Sequence, residues 1–505
     1  MSNDTLEHAQ RKIDVEILAL QERIRSLRTA RNALSSIHRI PPEVMTQIFL
    51  WYQRTYCGSL RYISPRFFRH FSKWVQVTHV CQHWRNIVHS SHHLYATIST
   101  DNLPYAQEAL KLSGSSPLTL IDCAEDLWVA PEDRQKLREL VRSTLPRVHT
   151  LWLGKSRRDF LLPHLKTSNI NELHMEGQGI ATRNMFPKSL RFLRLDHCRF
   201  DSYEWLSGLS NMVELTMLSF HNQPNIAVDV FLNVLDGMPQ LIYLELTAML
   251  EWGSIQANRV SPVTPRLHCL KLDDHLDPIL RLLPWLAFAP RFTMQLKPYA
   301  SEPILDWTPF FDQIGRHVRA SSMVLRTADI STDFEHKFGM QCAEGAGESP
   351  FLLLDAVSGL RRQDLRHFWL TGVKGLPLDN IESLTTNAFT DVEDWKDTPW
   401  QRLESLRQLT LHAAASPTYL KFLVTPKPKV GDHLGGRIPF ASLEELSLTG
   451  VRFNPKMKGK LVSALTEKMR GGVKLRNLSF HSGHIPEDVI RELSTVIDVV
   501  ERVTT

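Results

Sequence analysis

No C-x-x-C pair occurs among the six cysteines of this 505-residue chain (57, 81, 123, 198, 269, 342). Neither a zinc site nor a disulfide framework is therefore signalled. The first residues, MSNDTLEHAQRKID, lack the apolar core of a signal peptide. Long apolar runs are missing too: the most apolar stretch, ILRLLPWLAFAP, is short and broken by Arg281 and Pro284, so no membrane span is expected. A net charge of +5 is small for this length and carries no concentrated basic face, which argues against a nucleic-acid partner. Together these absences favour the cytosol or the nucleus.

Signatures of chemistry are equally scarce. There is no G-x-x-x-x-G-K-[ST] phosphate loop, no G-x-G-x-x-G and no G-x-S-x-G elbow. His79, Cys81 and His83 are the nearest approach to a metal set, but zinc needs three or four donors and Cys81 reads as a small core thiol. The expectation is no catalytic residue, no cofactor and no metal.

What the sequence has is periodicity. Leu6, Ile13, Leu20, Leu27 and Leu34 recur every seven residues, with Ile17 and Ile24 four residues after Ile13 and Leu20. That is an a/d heptad seam over about four heptads. Such a seam either pairs with another helix through residues 6–34 or lies on the protein's own body. The marginal stability of short helices tilts the expectation to the second.

A double proline then opens HRIPPEVMTQIFLWY (38–52). Proline is tolerated in the first helical turn, where its missing N–H has no partner, and Glu43 suits the positive end of the helix dipole. Val44, Ile48 and Tyr52 follow at spacing four with Met45 and Phe49 alongside, a broad apolar face. A second helical stretch carries Val77, Val80, Cys81, Trp84, Ile87 and Val88, with Trp84 on the inward stripe. The intervening Gln53–Lys73 reads as a loop in which aromatics alternate with arginines.

An Ile-Pro-Pro-Glu helix start, an Ile-Phe close behind, then Val-Cys-x-x-Trp-x-x-Ile and Leu-Tyr-x-x-Ile resembles the F-box. The matching positions are Ile40, Pro41, Glu43, Val44, Ile48, Phe49, Val77, Val80, Cys81, Trp84, Ile87, Leu94, Tyr95 and Ile98. The whole arrangement looks like a fungal group with an N-terminal helix, this box and a leucine-rich remainder. Ile40 replaces the usual first leucine, and the inter-helix segment is longer than in a minimal box. The resemblance implies docking onto the Skp adaptor, and through it a cullin, by Ile40, Pro41, Glu43, Val44, Ile48, Phe49, Val80 and Cys81. It implies no enzyme in this chain, only a substrate receptor of a ubiquitin ligase. A scaffold or leucine-rich binding protein without a ligase role is the alternative.

From residue 148 the pattern apolar-x-x-apolar-x-apolar recurs in VHTLWL, INELHM, LRFLRL, MVELTM, LIYLEL and LHCLKL. Their central leucines, from Leu151 to Leu270, lie 22, 20, 22, 29 and 26 residues apart, within the period of leucine-rich repeats. LRHFWL, LRQLTL, LEELSL and LRNLSF continue it around Phe368, Leu409, Leu446 and Leu478. Between Leu270 and Phe368 only FTMQL, SMVLR and FLLLD suggest strands, so degenerate repeats are expected there. A helix from Pro486 should cap the end.

The expected fold is α/β: an N-terminal coiled-coil-like helix (1–36), a helical F-box-like module (37–100), a transition (101–145) and an irregular leucine-rich-repeat solenoid (146–505). If the leucines point inward, alternate residues form an outer strand face. That face would carry Glu172, Glu176, Asp196, Glu214, Glu245, Asp273 and Glu445 against Arg194 and Lys271, with Trp152, Tyr243 and Trp369 as aromatic anchors. Its net acidity predicts a basic protein target rather than a phosphorylated one, most directly through Trp152, Glu172, Glu214, Tyr243, Glu245 and Trp369. An ordinary solvated face is the alternative.

Overall fold

The computed structural model describes residues 3–503 apart from 58–64, 101, 123–130, 155–161, 167, 178, 181–185, 201, 220–225, 252–265, 300–305, 333–337, 346, 357–367, 369–370, 373, 387–402, 413–439, 451–454, 471–474 and 482–484. The protein is mixed α/β, with an N-terminal helical region and an extended parallel ladder of short strands. By its contacts the chain divides into two compact units, Met1–Asp201 and Ser202–Thr505.

The first unit begins with α1 (Asn3–Ala33), α2 (Pro42–Cys57) and α3 (Gln82–Ser90). The heptad seam of α1 does not lie on the body of the protein: Leu6, Ile13, Ile17, Leu20, Ile24 and Leu27 are all exposed. Between α2 and α3 the residues from Pro65 to His79 are helical, of 3-10 type, where a loop was expected as far as Lys73. The strands that follow are β1 (Thr97–Ser99), β2 (Leu118–Asp122), β3 (Val148–Leu153), β4 (Glu172–Glu176), β5 (Gly179–Ile180), β6 (Phe192–Asp196) and β7 (Arg199–Phe200). β1, β2, β3, β4 and β6 pair in that order, all parallel. β5 and β7 form a separate two-stranded ladder. The ladder thus starts at Thr97, well before the first repeat legible in the sequence.

Register explains why leucine recurs. Leu120, Leu151, Leu173 and Leu193 are successive partners, and each is fully or almost fully buried. Side chains alternate along a strand, so the positions between these leucines fall together on the opposite face.

The second unit contains β8 (Glu214–Leu218), β9 (Ile226–Ala227), β10 (Tyr243–Thr247), β11 (Leu250–Glu251), β12 (Arg266–His275) and β13 (Ala287–Tyr299). Then come β14 (Thr327–Thr332), β15 (Phe338–Ala343), β16 (Leu352–Ala356), β17 (Ser383–Thr386), β18 (Gln408–Leu411), β19 (Glu445–Thr449), β20 (Asn477–His481) and β21 (Val499–Val503). β8, β10, β12 and β13 pair in parallel and in sequence, as do β17 to β21.

The stretch between them is not a run of degenerate repeats. β13 pairs with β16, β16 and β14 each pair antiparallel with β15, and β14 pairs parallel with β17. Three strands are spliced in as an antiparallel meander in reversed order, and only β15 runs against the rest. SMVLR lies just before β14 instead of forming a strand.

Two further expectations fail here. Within LRHFWL only Phe368 lies among the described residues, and it is helical and fully buried, its ring 4.6 Å from Trp307 and 4.7 Å from Phe311. Aromatic burial outweighs the strand pattern at this point. The close fit needs glycine, because a Cβ on Gly315 would stand 2.2 Å from the Gly375 carbonyl oxygen. The C-terminus also does more than cap with a helix. Helix Glu487–Leu493, with Pro486 as its N-cap, leads into β21, which adds a parallel partner to β20.

Strand ends share a device invisible in the leucine pattern. The residue just past β4, β6, β10 and β19 has a left-handed backbone: Gly177 (φ 76°), His197 (φ 54°), Ala248 (φ 50°) and Gly450 (φ 72°). Gly177 and Gly450 each donate their N–H to the neighbouring strand's last carbonyl, of Asp196 and His481, at 2.7 and 2.9 Å, and Ala248 donates to the Asp273 carbonyl within β12 at 2.8 Å. After Ala248 the next two amides, of Met249 and Leu250, donate to Asp274 Oδ2 at 2.8 and 2.9 Å, while His275 N donates to Oδ1. Asp274 is fully buried, and that burial raises its pKa above the ordinary carboxylate value despite three backbone N–H donors.

Asp274→Leu should cost about 2–4 kcal/mol in denaturant unfolding, because buried amides lose their acceptor. Asp274→Asn keeps an acceptor but cannot ionise. A raised folded pKa means the parent's stability is complete below pH ~3.9 and falls as pH rises through the folded value. The stability of the Asn variant relative to the parent should therefore improve as pH rises above about 3.9 and level off once the folded Asp274 has ionised; a difference that stays flat through the acid range would refute this account.

Candidate functional site

α2 begins where the prolines require it. Pro41 accepts the first helical bond from Met45 N at 3.0 Å, so its own missing N–H costs nothing. Glu43 is exposed in the first turn. The broad apolar face then resolves into two faces. Met45 and Phe49, both 1% exposed, turn inward with Gln53, whose Nε2 donates to the Leu94 carbonyl at 2.9 Å. Val44 (49%), Ile48 (45%) and Trp51 (67%) turn outward.

Phe49 is therefore core and not contact surface. Its ring meets that of Trp84 edge-on at 5.1 Å, because α3 crosses on the same side. Trp74, fully buried, anchors the same core: its Nε1 donates to Tyr105 Oη at 3.1 Å and its ring lies 5.4 Å from Tyr95. Burial raises the Tyr95 pKa to about 12, with Glu108 adding to the effect.

The second stretch is not one helix. It breaks at Val80–Cys81, where Cys81 adopts an extended backbone (φ −161°, ψ 168°) and its Sγ accepts the Trp84 N–H at 3.5 Å. Cys81 is thus the N-cap of α3 and only half-exposed; its Sγ lies 3.6 Å from His38 Nε2. Val80, released by that break, is 58% exposed. His38 stacks on His83 at 4.5 Å. No cluster of three or more metal-ligating side chains occurs among the described residues.

The outward apolar set is therefore Ile37, Val44, Ile48, Trp51 and Val80, with Ile40 half-exposed and Pro41 exposed at the helix start. Trp51 escaped the sequence reading. Its spacing of three from Ile48 was the available signal.

In the first unit's ladder Trp152 is 3% exposed and stacks flat on His174, 3.7 Å between centroids. Its ring is largely covered, contrary to a freely presented anchor. Glu172 accepts from Thr150 Oγ1 at 3.1 Å and bonds His174 Nε2 at 2.8 Å. Arg194 lies 3.8 Å from the Asp196 carboxylate.

In the second unit Glu214, Tyr243 and Cys269 are cross-strand partners, and so are Glu245 and Lys271. Tyr243 Oη donates to Glu245 at 2.7 Å, and Lys271 Nζ lies 5.5 Å from the Tyr243 ring. Burial lifts the Cys269 pKa; Lys271 opposes the shift, while Glu245 and Glu214 add to it. β13 and β16 add Lys297 beside Asp273 and Asp355 to the same face. Towards the C-terminus the face becomes neutral: Ser447 and Ser479 hydroxyls bond at 3.0 Å and Gln408 donates to Glu445 at 3.0 Å. Trp369 lies outside the described residues.

No family model matches this chain, and no curated protein sequence matches it. Among solved structures, an internalin from Listeria monocytogenes is similar over 72% of this chain and 82% of its own, at 14% identity and a TM-score of 0.26. Agreement that loose carries no weight for fold or function. Among the described residues no helix is long and apolar enough to cross a membrane.

The two tryptophans of the helical module should part company under truncation. Trp84→Ala removes the partner of Phe49 and should cost about 2–3 kcal/mol, somewhat under the figure for a fully buried ring. Trp51→Ala, on the outward face, should stay within about 0.5 kcal/mol. Thermal melting of both variants checks the assignment, and equal losses would refute it.

Proposed function

We propose that this chain is a non-catalytic substrate receptor, in the cytosol or nucleus, that links a protein target to a cullin-type ubiquitin ligase. The helical module serves as an F-box, and its outward set docks on the Skp adaptor. One observation carries the reading. Val44, Ile48 and Trp51 share one exposed face of α2, and Val80 is exposed at the break before α3, all on the segment that resembles the F-box and outside its buried core. Exposed apolar clusters of this kind mark interaction sites. Glu43 sits at the rim, where a charge contributes orientation more than affinity.

The ladders, read as leucine-rich repeats, are the target-binding part. Catalysis then consists of proximity, with target and ligase chemistry held together on one scaffold. Glu172, Glu214 and Glu245 favour a basic target segment, although each carboxylate already has neighbours of its own chain. A scaffold without a ligase role would use the same surfaces and would bind adaptor without cullin.

Because Val44 and Ile48 are exposed, Val44→Glu/Ile48→Glu should fold like the parent. Co-purification of adaptor and cullin with the parent but not with this variant is the expected result. Capture of neither by the parent, or undiminished capture by a folded variant, would overturn the docking reading.

Target charge has its own test. In a peptide array, reversal of Glu214 and Glu245 to lysine should selectively lower binding of lysine- and arginine-rich peptides, by about tenfold for two lost charge pairs. Enrichment of acidic or phosphorylated peptides by the parent would overturn this half.

A further inference from the structure

We propose that α1 pairs with α1 of a second copy of this chain, and that the pair is antiparallel. The helix spans about 40 Å from Leu6 to Ala33 and keeps its seam of Leu6, Ile13, Ile17, Leu20, Ile24 and Leu27 in solvent, with Leu34 exposed just past its end. A seam of this composition buries its apolar side chains against another heptad seam. The charges flanking it select which one.

In heptad terms Gln10, Ile17, Ile24 and Arg31 are a positions and the leucine series are d positions. Glu7, Asp14, Gln21 and Arg28 are then e positions; Ala9, Glu16, Arg23 and Ala30 are g positions. A parallel pair sets each g beside the following e of its partner. Arg23 would face Arg28 twice, and the two Arg31 side chains would meet in the core. Like charges so placed are destabilising.

An antiparallel pair sets a against d, e against e and g against g. With Ile17 level with the partner's Leu20, Ile24 meets Ile13 and Arg31 meets Leu6, along whose surface its stem can lie while the head reaches water. Glu7 then faces Arg28 and Glu16 faces Arg23, each twice by symmetry, and no like charges meet. Shifting by one heptad either way brings Glu16 against Glu16, or Arg23 against Arg23. One orientation and one register therefore pair Glu7 with Arg28 and Glu16 with Arg23 while leaving Asp14 opposite the neutral Gln21. Within its own helix Glu7 holds Arg11 at 3.2 Å, an exposed pair weak enough to exchange.

Sedimentation equilibrium of the full chain at low salt tests this. The parent should dimerise, and Ile17→Asp/Ile24→Asp should be monomeric with the melting of the rest of the chain unchanged. Arg28→Glu is the decisive variant. Antiparallel pairing predicts self-association about tenfold weaker, with Glu7→Arg/Arg28→Glu restoring it. Parallel pairing predicts the opposite, because Arg23 would then face a glutamate. A monomeric parent, or an Arg28→Glu variant that associates as tightly or more tightly, overturns the proposal. Adaptor capture rests on other residues, so either reading can fail alone.

Discussion

Both ladders depend on one constraint, that each strand offer a large apolar side chain at the same position as its neighbour. Leu215, Leu244, Leu270 and Met294 are partners in succession, and so are Leu384, Leu409, Leu446 and Leu478. No such strand can bury its apolar side alone, so each stands only because the next completes its core. A slip of one residue would turn every leucine to solvent and every glutamate inward. The constraint is severe on one face and absent on the other, which leaves the outer positions free to hold carboxylates, a covered tryptophan or a run of hydroxyls.

The meander obeys the same rule by another route. Reversing three strands keeps the inward row intact, since Met294 and Leu296 partner Leu352 and Leu354, and Ala328 partners Leu384. Strand order is thus less constrained than strand register. What the insertion changes is the outer face, where β15 runs antiparallel and Asp329 and Asp355 both have carboxyl pKa values raised by burial.

Period-2 leucine patterning made β3, β4, β6, β8, β10, β12, β18, β19 and β20 legible, while β14, β15 and β17, which have few or no leucines, were missed. It failed in two further physical circumstances. Phe368 satisfies the pattern yet packs in an aromatic cluster, because alternation cannot tell a half-buried strand from a short buried helix. β1, β2 and β21 precede or follow the clear repeats, and partners outside the repeat period decide their pairing. The left-handed turns at His197 and Ala248 carry no composition signal at all, since only Gly177 and Gly450 use the residue expected there.

In the helical module the segments were legible and their facing was not. A helix with apolar residues over more than half its circumference must have an inside and an outside, but periodicity alone does not say which is which. The polar residues decide it. Gln53 turns inward to bond the Leu94 carbonyl, and Thr46 Oγ1 lies 3.1 Å from Ser91 Oγ, fixing α2 against the segment after α3. Buried polar groups require such partners, and satisfying both at once allows one rotation of the helix. Met45 and Phe49 share that rotation and enter the core, and Val44, Ile48 and Trp51 are left on the surface. The outward apolar face is in this sense set by two hydrogen bonds on the opposite side of the same helix.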